Sequence, residues 1–120
     1  MQHSPQNFYK KLLGGAGENR AAEYLKKRGC KILKRNYTTP FGEADIVFQD
    51  GEDTVFAEVK TRTNDSFSTP AAAVGVKKQK RYVDIARYYF TRTGQEENVR
   101  FDVIEVSESG INWLKNAFLA

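Results

Sequence analysis

Asp45, Glu58 and Lys60 stand inside two apolar, strand-like runs: Gly42-Glu43-Ala44-Asp45-Ile46-Val47-Phe48 and Val55-Phe56-Ala57-Glu58-Val59-Lys60. Charges in a buried strand are costly unless they pair with one another or bind a metal. Two carboxylates and an ammonium at this spacing suit phosphate chemistry. The acids would hold a divalent cation, and the lysine would orient a water or stabilise developing negative charge. Magnesium fits the donor set because it takes one or two carboxylates and fills its remaining positions with waters and phosphate oxygens. The same three residues also allow an inert ion-pair cluster that neutralises itself, and a Glu-x-Lys step alone does not choose between the two.

The elements around these residues decide whether they meet. Side chains alternate between the faces of a strand. Glu58 and Lys60 therefore share a face with Phe56, and Glu43 and Asp45 share one with Val47. Asp50-Gly51 signals a hairpin between the runs. An even loop brings both sets to one face. A four-residue turn, Asp50 to Asp53, sets Asp45 opposite Glu58 and Glu43 opposite Lys60. An odd loop without a bulge sends them to opposite faces. Carboxylates ~5 Å apart across a ladder repel unless a cation intervenes.

Residues 7–28 carry a helical pattern (Phe8, Leu12, Leu13 and Ala16, then Ala21, Ala22 and Leu25), with a break or loose turn expected at Gly14, Gly15 and Gly17 and a stop at Gly29. Cys30 to Thr38 predicts a strand with its basic residues outward. Thr69-Pro70 resembles a helix start, with a short turn over Ala71 to Val74. Val76 to Arg92 predicts a longer helix whose apolar stripe is Val76, Val83, Ala86 and Phe90, supported by Tyr82, Ile85 and Tyr89. Val99 to Val106 and Ile111 to Phe118 predict two strands, the last at an edge. Helices flanking a mixed sheet of about five strands, an α/β (α+β) arrangement, is the packing this order favours. One domain over residues 1–120 is expected, with residues 1–6 as a disordered tail.

Composition excludes several classes. The 120 residues are 40% hydrophobic and 28% charged, with mean hydropathy −0.61 and no membrane-length apolar run, so no membrane partner is expected. Cys30 is the only cysteine, which leaves no internal disulfide or cysteine-zinc cluster, and the cytoplasm is the expected compartment. His3 is the only histidine, so a histidine base has no support. Residues 1–40 hold nine Lys/Arg against two acids, while residues 41–60 hold one against six. Residues 61–92 return to a net +5. An acidic centre between basic segments suits a polyanion held over a metal site, although a solvated basic face would leave the same trace. Lys77, Lys78, Lys80 and Arg81 are the candidate phosphate contacts, with Arg62 beside the motif strand and Gln79 a weaker candidate. Arg100 and Asp102 share a strand face and are expected to form structural pairs.

Asp45…Glu58-Val59-Lys60 resembles the Asp…(Asp/Glu)-x-Lys motif of restriction-endonuclease-like nucleases. Gly17-Glu18…Ala21-Ala22…Tyr24-Leu25…Gly29, Arg35-Asn36-Tyr37, Gly42-Glu43-Ala44-Asp45-Ile46-Val47, Glu58-Val59-Lys60-Thr61-Arg62, Lys77-Lys78-Gln79-Lys80, Arg100-Phe101-Asp102-Val103 and Asn116-Ala117-Phe118 follow the order of the bacterial YraN-like family. That family is similar in fold to archaeal Holliday-junction resolvases. The resemblance implies a restriction-endonuclease-like core and a magnesium- or manganese-dependent nuclease acting on DNA, with branched or structured DNA suggested by analogy. It implies Asp45 and Glu58 as metal ligands, Lys60 as the catalytic lysine and Glu18 as a further acid near the metal. Glu43 would hold the lysine or a nearby water, or stand as a plain strand-edge acid. Ala44 stands where the motif usually has proline. Resolvases of this type act as dimers, which leaves a homodimer open. The alternative is a non-catalytic module on the same fold that binds nucleic acid or recruits protein.

Overall fold

The computed structural model describes the backbone of residues 5–62, 74–94 and 98–118, and side chains within those ranges from residue 15 onward. The chain runs α1 (Pro5–Lys27), β1 (Lys31–Thr39), β2 (Gly42–Asp50), β3 (Asp53–Thr61), α2 (Val76–Thr93), β4 (Asn98–Ser107) and β5 (Gly110–Phe118). Helix, three strands, helix, two strands is the order the periodicities predict. Thr69-Pro70, residues 71–73 and His3 lie outside the described residues.

The strands form one sheet in chain order, β1-β2-β3-β4-β5. Every neighbouring pair is antiparallel except β3–β4, which is parallel. A parallel step needs a crossover, and α2 lies within it in the chain. The two helices serve separate cores. Ala21, Ala22 and Leu25 of α1 pack with Ile46, Phe48, Val55, Ala57, Ile104 and Val106. Tyr82, Ile85, Ala86 and Tyr89 of α2 pack with Ala44, Val47, Phe56, Phe101 and Val103. Residues of opposite parity on β3 and β4 thus feed opposite faces, as the pleat requires.

Four expectations are corrected. Helix α1 runs unbroken through Gly14, Gly15 and Gly17. Gly17 is needed there for close approach: a Cβ would run into the Thr61 hydroxyl at the end of β3. The helix also begins at Pro5, inside the stretch expected as a tail. Val76, predicted to open the apolar stripe of α2, is 81% exposed. As the first residue of α2, it lies six residues before Tyr82, where the buried stripe begins. The fourth concerns Glu43 and belongs to the site. At its other end α2 stops at Gly94 in the left-handed region (φ 70°), whose N–H donates to the Phe90 carbonyl.

Candidate functional site

Strands β2 and β3 pair from Asp50↔Asp53 to Ile46↔Ala57 and then stop. The turn is even, and its register is that of the four-residue Asp50 to Asp53 option. Beyond Ile46, β2 continues with β1 as far as Thr39↔Gly42, while β3 continues with β4 as far as Thr61↔Val106. The two central strands therefore fork, and the charged residues sit at the fork. Asp45 helps to hold it open: its Oδ2 accepts the Val59 N–H at 2.8 Å, so a side chain stands in for a ladder bond. The alternation of β2 slips at the same place. Ala44 and Val47, three residues apart, both join the α2 core, while Ile46 joins the α1 core. Between the Arg35↔Ile46 and Tyr37↔Ala44 pairs lies Asn36, at φ 51°. Asparagine tolerates this left-handed conformation better than most residues with a side chain.

The end of the β2–β3 pairing at Ile46↔Ala57 corrects the expectation for Glu43, which does not lie opposite Lys60. It pairs with Thr38 of β1, and its Oε2 accepts the Thr38 hydroxyl at 3.4 Å. With its amide oriented to satisfy both neighbours, Asn36 donates to Glu43 at 3.2 Å and to Glu18 at 3.0 Å. Glu18 in turn reaches Asp45 from α1. Burial first, with the charges of Glu18 and Glu58, pushes the Asp45 carboxyl up to about 7 against the lowering bond from Val59. A protonated Asp45 donates to Glu18, which adds to the shift. From the α2 side, Tyr82 donates to the Ala57 carbonyl at 3.4 Å. Its phenol is held above its ordinary value by burial and by the Asp45 and Glu58 charges.

Glu58 lies on the α2 face of β3 and is 8% exposed. Its Oε1 is ion-paired with Lys78, from the first turn of α2. Its Oε2 is buried and has no hydrogen-bond partner among the described residues. Lys60 lies beside Glu105 in the parallel β3–β4 ladder, two residues from Glu58 on the same strand. Glu105 is fully buried and accepts Arg62 Nε at 2.9 Å.

The structure thus brings Glu18, Asp45 and Glu58 into one electrostatic group, with Lys60 two positions beyond Glu58 on β3. Among the described residues, no three His, Cys, Asp or Glu side chains form a ready ligand set for a metal. Glu18 and Asp45 touch, while Glu58 is turned to Lys78. A magnesium-like ion needs only one or two carboxylates. The orphaned Glu58 oxygen and the crowded Asp45 are the features a cation would relieve, so the residues fit such an ion.

The basic candidates divide. Arg62 is tied to Glu105 through its side chain, and its N–H donates to the Val106 carbonyl at 2.7 Å. Gln79 Nε2 donates to the Val74 carbonyl at 2.9 Å, which fixes the entry to α2. Lys77, Lys80 and Arg81 are exposed on the first turns of α2, and the Arg81 stem lies against Gly42. Sequence reasoning passed over Asn36 and Glu105. Glu105 had a signal, since it alternates with Phe101 and Val103 onto the α2 face. Asn36 had only its place in the Arg35-Asn36-Tyr37 stretch, because its role comes from a backbone turn inside a strand.

Among the described residues, two helices on opposite faces of a five-strand mixed sheet, with acids gathered at a strand fork, define an α+β protein compatible with a restriction-endonuclease-like core. Residues 17–106 match the family described as "Uncharacterised protein family UPF0102", and the chain belongs to it. The match begins one residue before Glu18 and spans every residue of the fork. A UPF0102 protein of Thermodesulfovibrio yellowstonii is 43% identical over 106 residues, covering 88% of this chain and 95% of the relative. One from Janthinobacterium sp. is 41% identical over 111 residues, covering 92% and 90%. One from Vibrio parahaemolyticus is 40% identical over 114 residues, covering 92% and 94%. No helix among the described residues is long and apolar enough to cross a membrane.

Proposed function

We propose that the chain is a divalent-metal-dependent nuclease that hydrolyses phosphodiester bonds in DNA. The observation carrying this reading is the fork itself. Three acids gather at one place, a buried oxygen of Glu58 has no hydrogen-bond partner among the described residues, and burial pushes Asp45 up to about 7. A fold gains nothing from such crowding unless a cation enters it. Asp45 and Glu58 would hold magnesium or manganese, with Glu18 beside Asp45 as a further acid. When bound, that ion supplies positive charge at the scissile phosphate. Lys60 would orient the attacking water and offset negative charge as it develops. Glu43 and Asn36 keep Glu18 directed at Asp45. Lys77, Lys80 and Arg81 supply exposed charge for the phosphates on either side of the cut.

A second reading, a nucleic-acid-binding module without catalysis, is favoured by one observation: Glu58 already has an ion-pair partner in Lys78. One experiment separates the two. Wild type and Lys60→Ala are incubated with labelled junction, flap, single-stranded and duplex DNA, and with RNA, in Mg²⁺ or Mn²⁺. Metal-dependent cutting that falls by about 100-fold or more in the variant, with binding retained, is expected of a catalytic lysine. Binding without cutting on every substrate favours the module.

A further inference from the structure

Lys78 and Glu58 form an unequal ion pair. The Glu58 side chain is 11% exposed and fixed on a central strand, whereas the Lys78 side chain is 42% exposed on the first turn of α2. The carboxylate cannot follow the ammonium into solvent, but the ammonium can swing away on its flexible four-carbon stem. A half-exposed pair of this kind is held weakly enough to exchange. One Glu58 oxygen is engaged by Lys78, and the other is buried without a hydrogen-bond partner among the described residues. Removal of Lys78 from this site would take from Glu58 its ion-pair partner next to Asp45 and Glu18. Its departure is therefore favourable only when another cation arrives.

We propose that Lys78 is an exchangeable counter-ion: it neutralises Glu58 until a divalent cation binds, and then transfers its charge to a nucleic-acid phosphate. This rests on the metal-dependent reading above and adds a coupling to it. Metal and polyanion assist each other, because each takes one partner of an ion pair that the other would otherwise have to break. By linkage the assistance is reciprocal. Lys78 is a positioning residue on this account, distinct from Lys60. Lys77 and Lys80, which flank it on exposed positions, would meet phosphate whether or not metal is present.

Manganese affinity is the direct measurement, made by calorimetry or by paramagnetic resonance of free ion, without nucleic acid, on wild type, Lys78→Met and Lys78→Arg. Loss of the competing charge in Lys78→Met should tighten manganese by about 5-fold or more, the lower end of ordinary coupling between sites. Lys78→Arg, which keeps the charge, should stay near wild type. In a second arm, wild type should bind a short oligothymidylate more tightly with manganese than with chelator, and Lys78→Met should lose that gain. Manganese affinity that is equal or weaker in Lys78→Met overturns the exchange and leaves the metal site standing. No manganese binding by any of the three proteins overturns both. Lys78→Gln serves the same comparison if the methionine variant does not melt cooperatively.

Discussion

Asp45 and Asp102 use the same local device at two places in the sheet and end in opposite electrostatic states. Each sits where a strand pairing is disturbed. Asp45 lies at the β2–β3 fork, and Asp102 lies at the register shift between β4 and β5. Each accepts a backbone N–H from a neighbouring strand, Val59 at 2.8 Å and Asn116 at 2.9 Å. Each disturbance also involves an asparagine in the left-handed region, Asn36 at φ 51° and Asn116 at φ 55°. The difference lies in what satisfies the remaining lone pairs. Asp102 takes both arms of Arg100 at 2.9 Å and the Trp113 indole at 2.8 Å. Asp45 has another acid, Glu18, in the corresponding place. Arg100 also binds Asp50 and Asp53, so that end of the sheet closes on itself. Burial alone would lower the pKa of Arg100, yet its bonds to Asp102 and Asp50 hold it above the ordinary value. A buried carboxylate can thus splice an irregular strand pairing at either site. Among the described residues, Asp102 is met by a cation and Asp45 by another acid.

The largest effect expected from this contrast is at the closed site. Asp102→Ala leaves the Trp113 and Asn116 donors without their acceptor in a buried setting and takes from Arg100 one of its three carboxylate partners. It should destabilise the protein by about 3–5 kcal/mol, the usual cost of removing one member of a buried pair. Urea unfolding followed by circular dichroism measures it. A loss below about 1 kcal/mol would mean that the cluster is as replaceable as a surface ion pair.

At the fork the sign should reverse. Asp45→Asn keeps an acceptor for the Val59 N–H and an amide donor for Glu18, and it removes a charge from a crowded acidic region. Without metal, the variant should match or exceed wild-type stability at pH 8, by about 1–2 kcal/mol. The pH dependence follows from the same shift. Because the folded carboxyl is raised to about 7, the native state holds this proton more tightly than the unfolded chain. Its contribution is complete below the ordinary aspartate value and is lost as pH rises through about 7. Thermal melts from pH 4 to 8 should show the wild type losing ground to Asp45→Asn across that window. Parallel curves would show that Asp45 is not crowded in solution. The same substitution should abolish manganese binding, so stability and ligand affinity move in opposite directions at one residue.

Much of this contrast is legible in the sequence, and its limits are physical. The apolar runs around Asp45 and Glu58 are strong enough to place both strands and the hairpin between them, while the turn parity, open in the sequence, is settled by the Asp50↔Asp53 pair. Arg100 and Asp102, two apart on one strand, announce their pairing. The fork is not legible, because alternation assumes that a ladder continues. A continued ladder would put Glu43 across from Lys60, whereas the β2–β3 pairing ends at Ile46↔Ala57 and Glu43 pairs with Thr38 of β1. The role of Lys78 was hidden for a similar reason. Four basic residues crowd the first turns of α2, and only the angle at which the helix packs on the sheet selects the one that reaches Glu58. The pairing of Arg62 with Glu105, buried on the adjacent parallel strand, is likewise a long-range contact that the sequence does not announce.

The smallest expected effect tests whether the basic residues around the fork serve the open site while those around the closed site do not. Lys80 is exposed on α2, whereas Lys115 of β5 lies over the Trp113 ring at 4.3 Å and 3.8 Å from Asp50. Each carries one charge, and neither supports much of the core, so stability should change by no more than about 0.5 kcal/mol on substitution by alanine. Their effects on nucleic-acid binding should differ. A lysine that contacts phosphate releases a counter-ion when it binds. Its loss should lower the slope of log affinity against log salt by about 0.9 on duplex DNA. Lys80→Ala should show that drop and Lys115→Ala should not, in a salt titration followed by fluorescence anisotropy. Equal drops would mean that binding spreads over the whole basic surface. The fork would then lose its claim to position the polyanion, even if it still bound metal.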